Sequence, residues 1–584
     1  MAYMPVLTES ATTRSMTDTF LGYNHNLKIQ DGEFYNTKNL TTQYYPLLAS
    51  RKKRGLVRSF QGYQGITQLN GKLAWVDNGT LYFDGEATPV NGLTAGDKQL
   101  VTMGAYICVF PDHKFYNTVD DLDYGSMTHE MTLDNATITF NMCNSEGVIY
   151  PDNNITSSAT APQNPSDGAL WIDTTNKTLN QWSASSSMWI GITQVFTKMT
   201  FPAQGIGDRP SDLFQEYDGV YIEGLEHEGL DGSKILYEVG VDFVVVPGII
   251  STSFTESGVN FLMKTWVPEM NYVVESQNRL WGCFYGNNGS GVVNEIYCCA
   301  LGDFKNWNRF LGISTDSYVA SVGTDGPWSG AGTDPNGNPL FFKENWVHRV
   351  SVSSTGAHRI EAIPCRGVQP GSGKSVVLLN GYVFYKGTEN VFSFYGSNPS
   401  AISKQLGDVR YYDAVAGGIE DLYYISMRDA DNNYGLFVAD VSKGLWIRED
   451  DLHVVDFVRA HDELYAVTSD GKLYAIRGSE GELEEIIEWY AESGILYYEL
   501  PDKKYVSRFN IRMQMEPEAK LTIFIEYDSD GIWVEFPAIF FFGTGTVNIP
   551  IRPRRCDHLK IRLAGRGDAK IFSIARILEN GSDI

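Results

Sequence analysis

The sequence has no Cys-x-x-Cys pair. Its seven cysteines, Cys108, Cys143, Cys283, Cys298, Cys299, Cys365 and Cys556, are an odd set lying mostly inside apolar runs. That pattern argues against a disulfide framework or a thiolate metal site and reads as small buried hydrophobes. The nine histidines are dispersed without the H-x-x-x-H or Cys/His spacing that zinc needs, so no metal and no cofactor is expected. No G-x-S-x-G nucleophile elbow occurs. Met1-Ala2-Tyr3-Met4-Pro5 lacks the charged and apolar regions of a signal peptide, and no run approaches membrane-spanning length. The expectation is a chain without a membrane-spanning segment, made and folded in a reducing cytosol. Positive charge is scarce, with 46 basic against 71 acidic residues and a net charge of −25. This is the reverse of a general nucleic-acid binder. It serves solubility, or it lines a passage through which a polyanion slides without sticking. Long amphipathic helical patterns are also rare.

Turns and aromatic strands fill the space. There are 57 Gly, 33 Tyr and 30 Phe, and aromatics make up 13% of the chain, which points to an all-β protein. A short unit recurs: Leu69-Asn70-Gly71-Lys72-Leu73-Ala74-Trp75-Val76, then Asp77-Asn78-Gly79 into Thr80-Leu81-Tyr82-Phe83. It returns at Leu379-Asn380-Gly381 through Tyr395, and at His461-Asp462-Glu463 through Ser469-Asp470-Gly471 to Ile476. Asn-Gly and Asp-Gly supply the positive φ of tight hairpins, so each copy reads as antiparallel strands of a propeller blade. Asn70-Gly71, Asn380-Gly381 and Ser469-Asp470-Gly471 are expected at equivalent turns. Two further pairs, around Trp281 and Tyr424, are each followed by an Asp and a Trp, with outer strands expected from Trp307 and Trp446. Weak alternation implies strands covered on both faces. The count is about six or seven blades.

The fold expected is an all-β β-propeller over 56–487, with an N-terminal adaptor arm over 1–55 and a C-terminal β-sandwich over 488–584. An insertion at about 128–235 contains a small β module with Trp171, Trp182 and Trp189, entered through a polar linker over 153–167.

Two ends of the chain carry a resemblance. Asn39-Leu40, Tyr44-Tyr45-Pro46-Leu47-Leu48 and the basic run Arg51-Lys52-Lys53-Arg54 resemble the start of bacteriophage tail proteins of the nozzle or packaged-DNA-stabilisation (tail hub) type of short-tailed phages. Pro550 to Leu563, Gly565-Arg566-Gly567-Asp568 and Ile571 to Ile574 resemble the closing strands of the same group. Gly168-Ala169-Leu170-Trp171-Ile172-Asp173-Thr174 to Trp182 resembles small β modules of phage tail and fibre proteins. The resemblance implies a virion structural protein that is not an enzyme. It would form a homo-oligomeric ring, a hexamer, in the tail beside adaptor or portal-proximal rings and other tail proteins. Packaged double-stranded DNA would pass through the channel and be held until infection.

Gly371-Ser372-Gly373-Lys374-Ser375 lacks the earlier Gly of a P-loop, has Val368 in its place and runs into a strand, so it reads as a turn. Asp429-Ala430-Asp431-Asn432-Asn433 imitates a calcium loop with Tyr434 where glycine belongs, and reads as a hairpin. His348 and His358 bracket a strand pair and read as structural. Arg566-Gly567-Asp568 reads as a turn. Carboxylates for glycoside hydrolysis are defined by separation in space. Trp171, Trp182 and Trp189 either stack on sugar rings or, as their regular spacing favours, form the core of the small module. Arg51, Lys52, Lys53 and Arg54 contact either a neighbouring subunit, the favoured reading, or phosphates of DNA. Two alternatives stand beside the tail ring: a receptor- or glycan-binding tail protein, and a cell-wall polysaccharide-degrading tail enzyme.

Overall fold

The computed structural model describes residues 12–580 except 228, 289–290, 310, 354–356, 499–502 and 553. Residues 1–11 of the expected arm and 581–584 of the expected sandwich lie outside the described residues. The protein is almost wholly β: among the described residues the one α-helix is Pro210–Leu213.

Seven small antiparallel sheets follow one another along the chain. The first is Tyr63–Leu69, Lys72–Asp77, Thr80–Phe83 and Glu86–Ala87, and the second begins at Gln99–Met103. The third to sixth begin at Tyr272–Glu275, Gly330–Thr333, Val377–Leu379 and Tyr412–Ile419, each with four strands in sequence order, those of the sixth forming one end of an eleven-stranded sheet. The seventh has Val454–Ala460, Glu463–Thr468 and Lys472–Ala475 from the late chain and Gly55–Ser59 from the early chain as its fourth strand. The leading strand of each sheet packs on the leading strand of the next, and that of the seventh packs on that of the first.

Burial explains the strand composition. Successive residues of one strand enter different cores: Leu340 and Phe342 pack toward Val383 and Tyr385 of the fifth sheet, while Phe341 packs toward Trp281 and Ile296 of the third. Both faces are covered, so the strands carry apolar residues nearly without interruption. Tyr424, Leu436 and Leu464 join the sixth sheet to the seventh, and Trp75, Tyr465 and Val467 join the seventh to the first.

The turns follow the expected chemistry with one shift in register. Asn70 and Gly71 have φ of 52° and 80°, and Asn380 and Gly381 have 50° and 79°. Each pair joins the first and second strands of its sheet. Ser469-Asp470-Gly471 instead joins the second and third strands of the seventh sheet, equivalent to Asn78-Gly79, and His461 (φ 51°) holds the place of Asn70. Trp446 does lie in an outer strand, Leu445–Asp450, but Trp307 precedes the outer strand of the third sheet, Tyr318–Ser321.

Two bodies are added. Between the second and third sheets, Glu130–Cys143 pairs with Phe254–Lys264 and Phe196–Thr200 in a seven-stranded sheet. The insertion therefore runs past 235 to Lys264. Within it, Ile155–Ser158, Leu170–Asp173, Thr178–Ser183 and Met188–Ile192 form a separate four-stranded sheet. The C-terminal residues form two facing sheets around one core, with Phe509, Ile511 and Met513 against Ile523, Ile525 and Leu563.

The stretch expected as an outward arm is woven into the body from Thr12 onward. Thr12–Thr17 and Leu48–Ser50 pair with Ala569–Asn580. Glu33–Lys38 pairs with Glu488–Ser493, while Gly22–Tyr23 lies between it and Trp446 of the sixth sheet. The early chain thus joins the C-terminal body to the sheet succession, then supplies the strand that completes the seventh sheet.

Candidate functional site

A large concavity lies where the leading strands begin. A cavity of about 830 Å³ is lined by residues from the second to seventh sheets and the segments entering them, including Asp97, Tyr272, Trp328, Lys374, Asp413 and His453. Loops positioned by a rigid scaffold are where binding groups collect. The aromatic wall includes Tyr285, 39% exposed, and Tyr434, stacked on His453 with centroids 3.4 Å apart. Behind the wall, the Lys343 ammonium sits 4.5 Å from the Trp328 ring centroid and 5.6 Å from that of Tyr285.

Charge around the cavity is largely internally matched. Lys374 Nζ donates to Asp456 Oδ2 at 2.9 Å, and Tyr63 Oη donates to the same oxygen at 3.0 Å. Arg428 donates to Asp413 from Nε at 2.7 Å, and Lys98 pairs with Asp112 at 2.6 Å. Burial, then the neighbouring Asp456 carboxylate, lifts the Tyr63 phenol well above its usual range, so it stays a donor. The Gly371 to Ser375 segment forms this rim: a 3₁₀ turn at Gly373–Ser375 precedes the strand. A Cβ on Gly373 would fall 2.7 Å from Tyr272 Cε1 and 2.8 Å from the Ser329 carbonyl, so the glycine permits close approach of rim and wall.

Lys343 and Lys386 are nearly inaccessible, at 1% and 2% exposure. Lys343 donates to Asn294 Oδ1 at 3.1 Å and the Thr324 carbonyl at 2.8 Å, and Lys386 donates to Gln369 Oε1 at 3.2 Å. Burial pulls both down to about 8. The unfolded chain holds these protons to about 10.4, so between those values the folded state binds fewer protons and stability rises with pH. In urea unfolding across that window, the native protein is expected to gain on the Lys343→Met/Lys386→Met variant. A constant gap between the two would show that these lysines titrate as in water.

The small inserted sheet places its tryptophans where the spacing argument did not. Leu170, Ile172 and Leu179 are its buried face, packed into the core of the larger insertion sheet. Trp171 points to the opposite face by strand alternation. Trp182 is directly opposite Trp189 on the neighbouring strand. The Trp189 ring lies 5.5 Å from Trp171 and 5.4 Å from Trp182, tilted 59° and 64° to them. All three are half-buried. Trp171 Nε1 donates to the Ser158 carbonyl at 3.0 Å, fixing one end of the row. They are a surface row rather than the module's core, and alternation in Leu170-Trp171-Ile172 was the signal available in the sequence.

The basic run divides. Arg51 and Arg54 are 7% and 2% exposed, whereas Lys52 is exposed and Lys53 half-buried. Arg51 Nη1 meets Glu484 Oε2 at 2.6 Å, and Arg54 meets Asp450 at 2.7 Å and Glu449 at 3.1 Å. Glu449 is itself buried, and burial lifts its carboxyl above the usual range against the pull of Arg54 and Arg51. The expectation that all four residues face a neighbouring subunit or DNA is corrected: Arg51 and Arg54 are interior and paired within the chain.

Other candidates are placed simply. The two oxygens of Asp429 accept from the backbone of Asp431 and Asn433 and the side chain of Asn433, closing a hairpin. Asp334 makes the same bonds to Asn336 and Asn338. His348 lies opposite Ala362 and His358 opposite Val352, and they pack on Trp328 and Trp281 respectively. Gly567 has φ of 78° in the turn after Arg566.

No family model matches this sequence, and comparison with curated proteins gives no match. Among solved structures, the chain is similar to an exo-β-1,3-galactanase from Phanerochaete chrysosporium with galactose, at 7% identity and a TM-score of 0.21, covering 51% of this chain and 94% of that one. A puromycin hydrolase matches at 11% identity and 0.23, covering 74% and 58%. A Trypanosoma rangeli sialidase in complex with 2,3-difluorosialic acid matches at 8% and 0.20, covering 97% and 96%. At TM-scores this low the overlaps carry no argument about the fold or activity of this chain. The expectation that the chain is not an enzyme is withdrawn, since the proteins overlapped are themselves enzymes.

Proposed function

We propose that this chain is a tail component of a short-tailed phage that contacts surface glycans, with a closed seven-bladed β-propeller as its scaffold. The reading of a propeller is supported by seven successive sheets with contacts between their leading strands and by an early strand completing the last sheet. Tail membership rests on the resemblance at the two ends of the sequence. The observation that carries glycan contact is the half-buried row of Trp171, Trp189 and Trp182 on the small inserted sheet, with Leu170, Ile172 and Leu179 turned the other way. Indole faces pack against the apolar faces of sugar rings, and half-buried tryptophans already held in a row lose little conformational freedom on binding.

Glycan-array binding tests this reading. The native chain is expected to bind one class of glycan, and the Trp182→Ala/Trp189→Ala variant to lose that signal at unchanged melting temperature. Equal binding by the variant would remove the tryptophan row from the account.

A second reading, a load-bearing nozzle ring around DNA, is favoured by the early chain. Its strands tie the C-terminal body to the sixth sheet and complete the seventh, as a part bearing the pressure of packaged DNA requires.

A further inference from the structure

We infer that the cavity at the start of the leading strands is a second carbohydrate site, for an uncharged sugar, separate from the tryptophan row. The inference deepens the glycan reading and rests on it for the class of ligand, while using none of the same residues.

The lining selects by elimination. It offers aromatic area from Tyr272, Tyr285, Trp328 and Tyr434 in about 830 Å³, within the range of small-molecule sites. An apolar ligand would leave the polar lining unpaired, at the cost of burying groups without hydrogen bonds. An anion would meet Asp97, which is exposed and has no hydrogen bond to another described residue. The two cations that line the cavity, Lys374 and Lys98, already have partners in Asp456 and Asp112. An organic cation would seek the ring faces, yet Lys343 is already held against Trp328 and Tyr285. Its charge draws on the same ring electrons and opposes a second cation. What remains is a neutral molecule with apolar faces and many hydroxyls, able to donate to Asp97 and accept from Lys374. A pyranose has that character.

The site takes shape only when the sheets are assembled, because its lining comes from six of them. The Gly371-Ser372-Gly373-Lys374 segment, which phosphate chemistry does not explain, has a place here as the thin rim that lets Lys374 reach the opening.

Titration calorimetry tests the inference on the Trp182→Ala/Trp189→Ala protein, so that the surface row cannot contribute. The probes are β-linked tetrasaccharides of N-acetylglucosamine, glucose and galactose. At least one is expected to bind at one site per chain. Adding Tyr285→Ala is expected to weaken it about tenfold, the loss of one aromatic stacking contact. Asp97→Asn, a change at an exposed side chain without hydrogen bonds to lose, is expected to weaken it severalfold at unchanged melting temperature. Failure of all three probes to bind this protein, or binding undiminished by Tyr285→Ala, overturns the cavity site. Neither result touches the array experiment, whose failure would instead remove the tryptophan row.

Discussion

Replacing Arg54 by Ala is expected to cost about 3–5 kcal/mol, the range for removing one partner of a buried ion pair. The guanidinium is 2% exposed and meets Asp450 at 2.7 Å and Glu449 at 3.1 Å. Without it, two adjacent carboxylates in the outer strand of the sixth sheet share only Arg51. Burial already raises the Glu449 carboxyl, so the variant is expected to take up a proton there and become more stable as the pH is lowered toward the carboxylate range, opposite to usual acid denaturation. Set against a total stability of about 5–15 kcal/mol, the loss is readable by urea unfolding. Lys52→Ser and Lys53→Ser are expected to change stability by less than about 0.5 kcal/mol. An Arg54→Ala protein as stable as the native one would show that the cluster contributes nothing to holding the early chain on the sixth sheet.

The second large effect concerns closure. A chain begun at residue 60 keeps every strand of the first six sheets except their ties to the early segment, but lacks Gly55–Ser59. The strand Lys472–Ala475 would then be an open edge, since it now pairs with that segment over Lys472↔Ser59 to Ala475↔Gly55. Open edges recruit other chains. The truncated protein is expected to aggregate or to sediment as larger species, with the melting transition lost or lowered by many degrees. A monomeric truncated protein with the native transition would contradict the role given to this strand.

Local chemistry was the legible part of this molecule. Asn70-Gly71 and Asn380-Gly381 marked hairpins because only the residues themselves are needed to adopt positive φ. The dense apolar runs announced strands covered on both faces. Pairings across the chain were not legible. Glu484 lies 433 positions from Arg51, and nothing in the basic run told which acids it would meet, so four adjacent charges read as a contact with another molecule. Leu56 and Arg58 lie opposite residues more than four hundred positions later, and a five-residue stretch carries no sign of its partner. The tryptophan row was within reach: period-two alternation separates Trp171 from Leu170 and Ile172, whereas even spacing of aromatics along the chain does not distinguish a core from a face. The cavity was beyond reach, because residues as distant as Asp97 and His453 line it together.

Where this chain sits in a particle and which face it shows there decide whether it is a tail component that contacts glycans. An electron-microscopic reconstruction of the particle that carries it, at a resolution that separates strands, gives both. The expected result is density for this chain in the tail, with residues 170–192 on the outer surface and the Trp171, Trp189 and Trp182 row open to solvent. Density outside the tail, or that row covered by another virion protein, would contradict the proposal that this is a tail component presenting a glycan-contacting face.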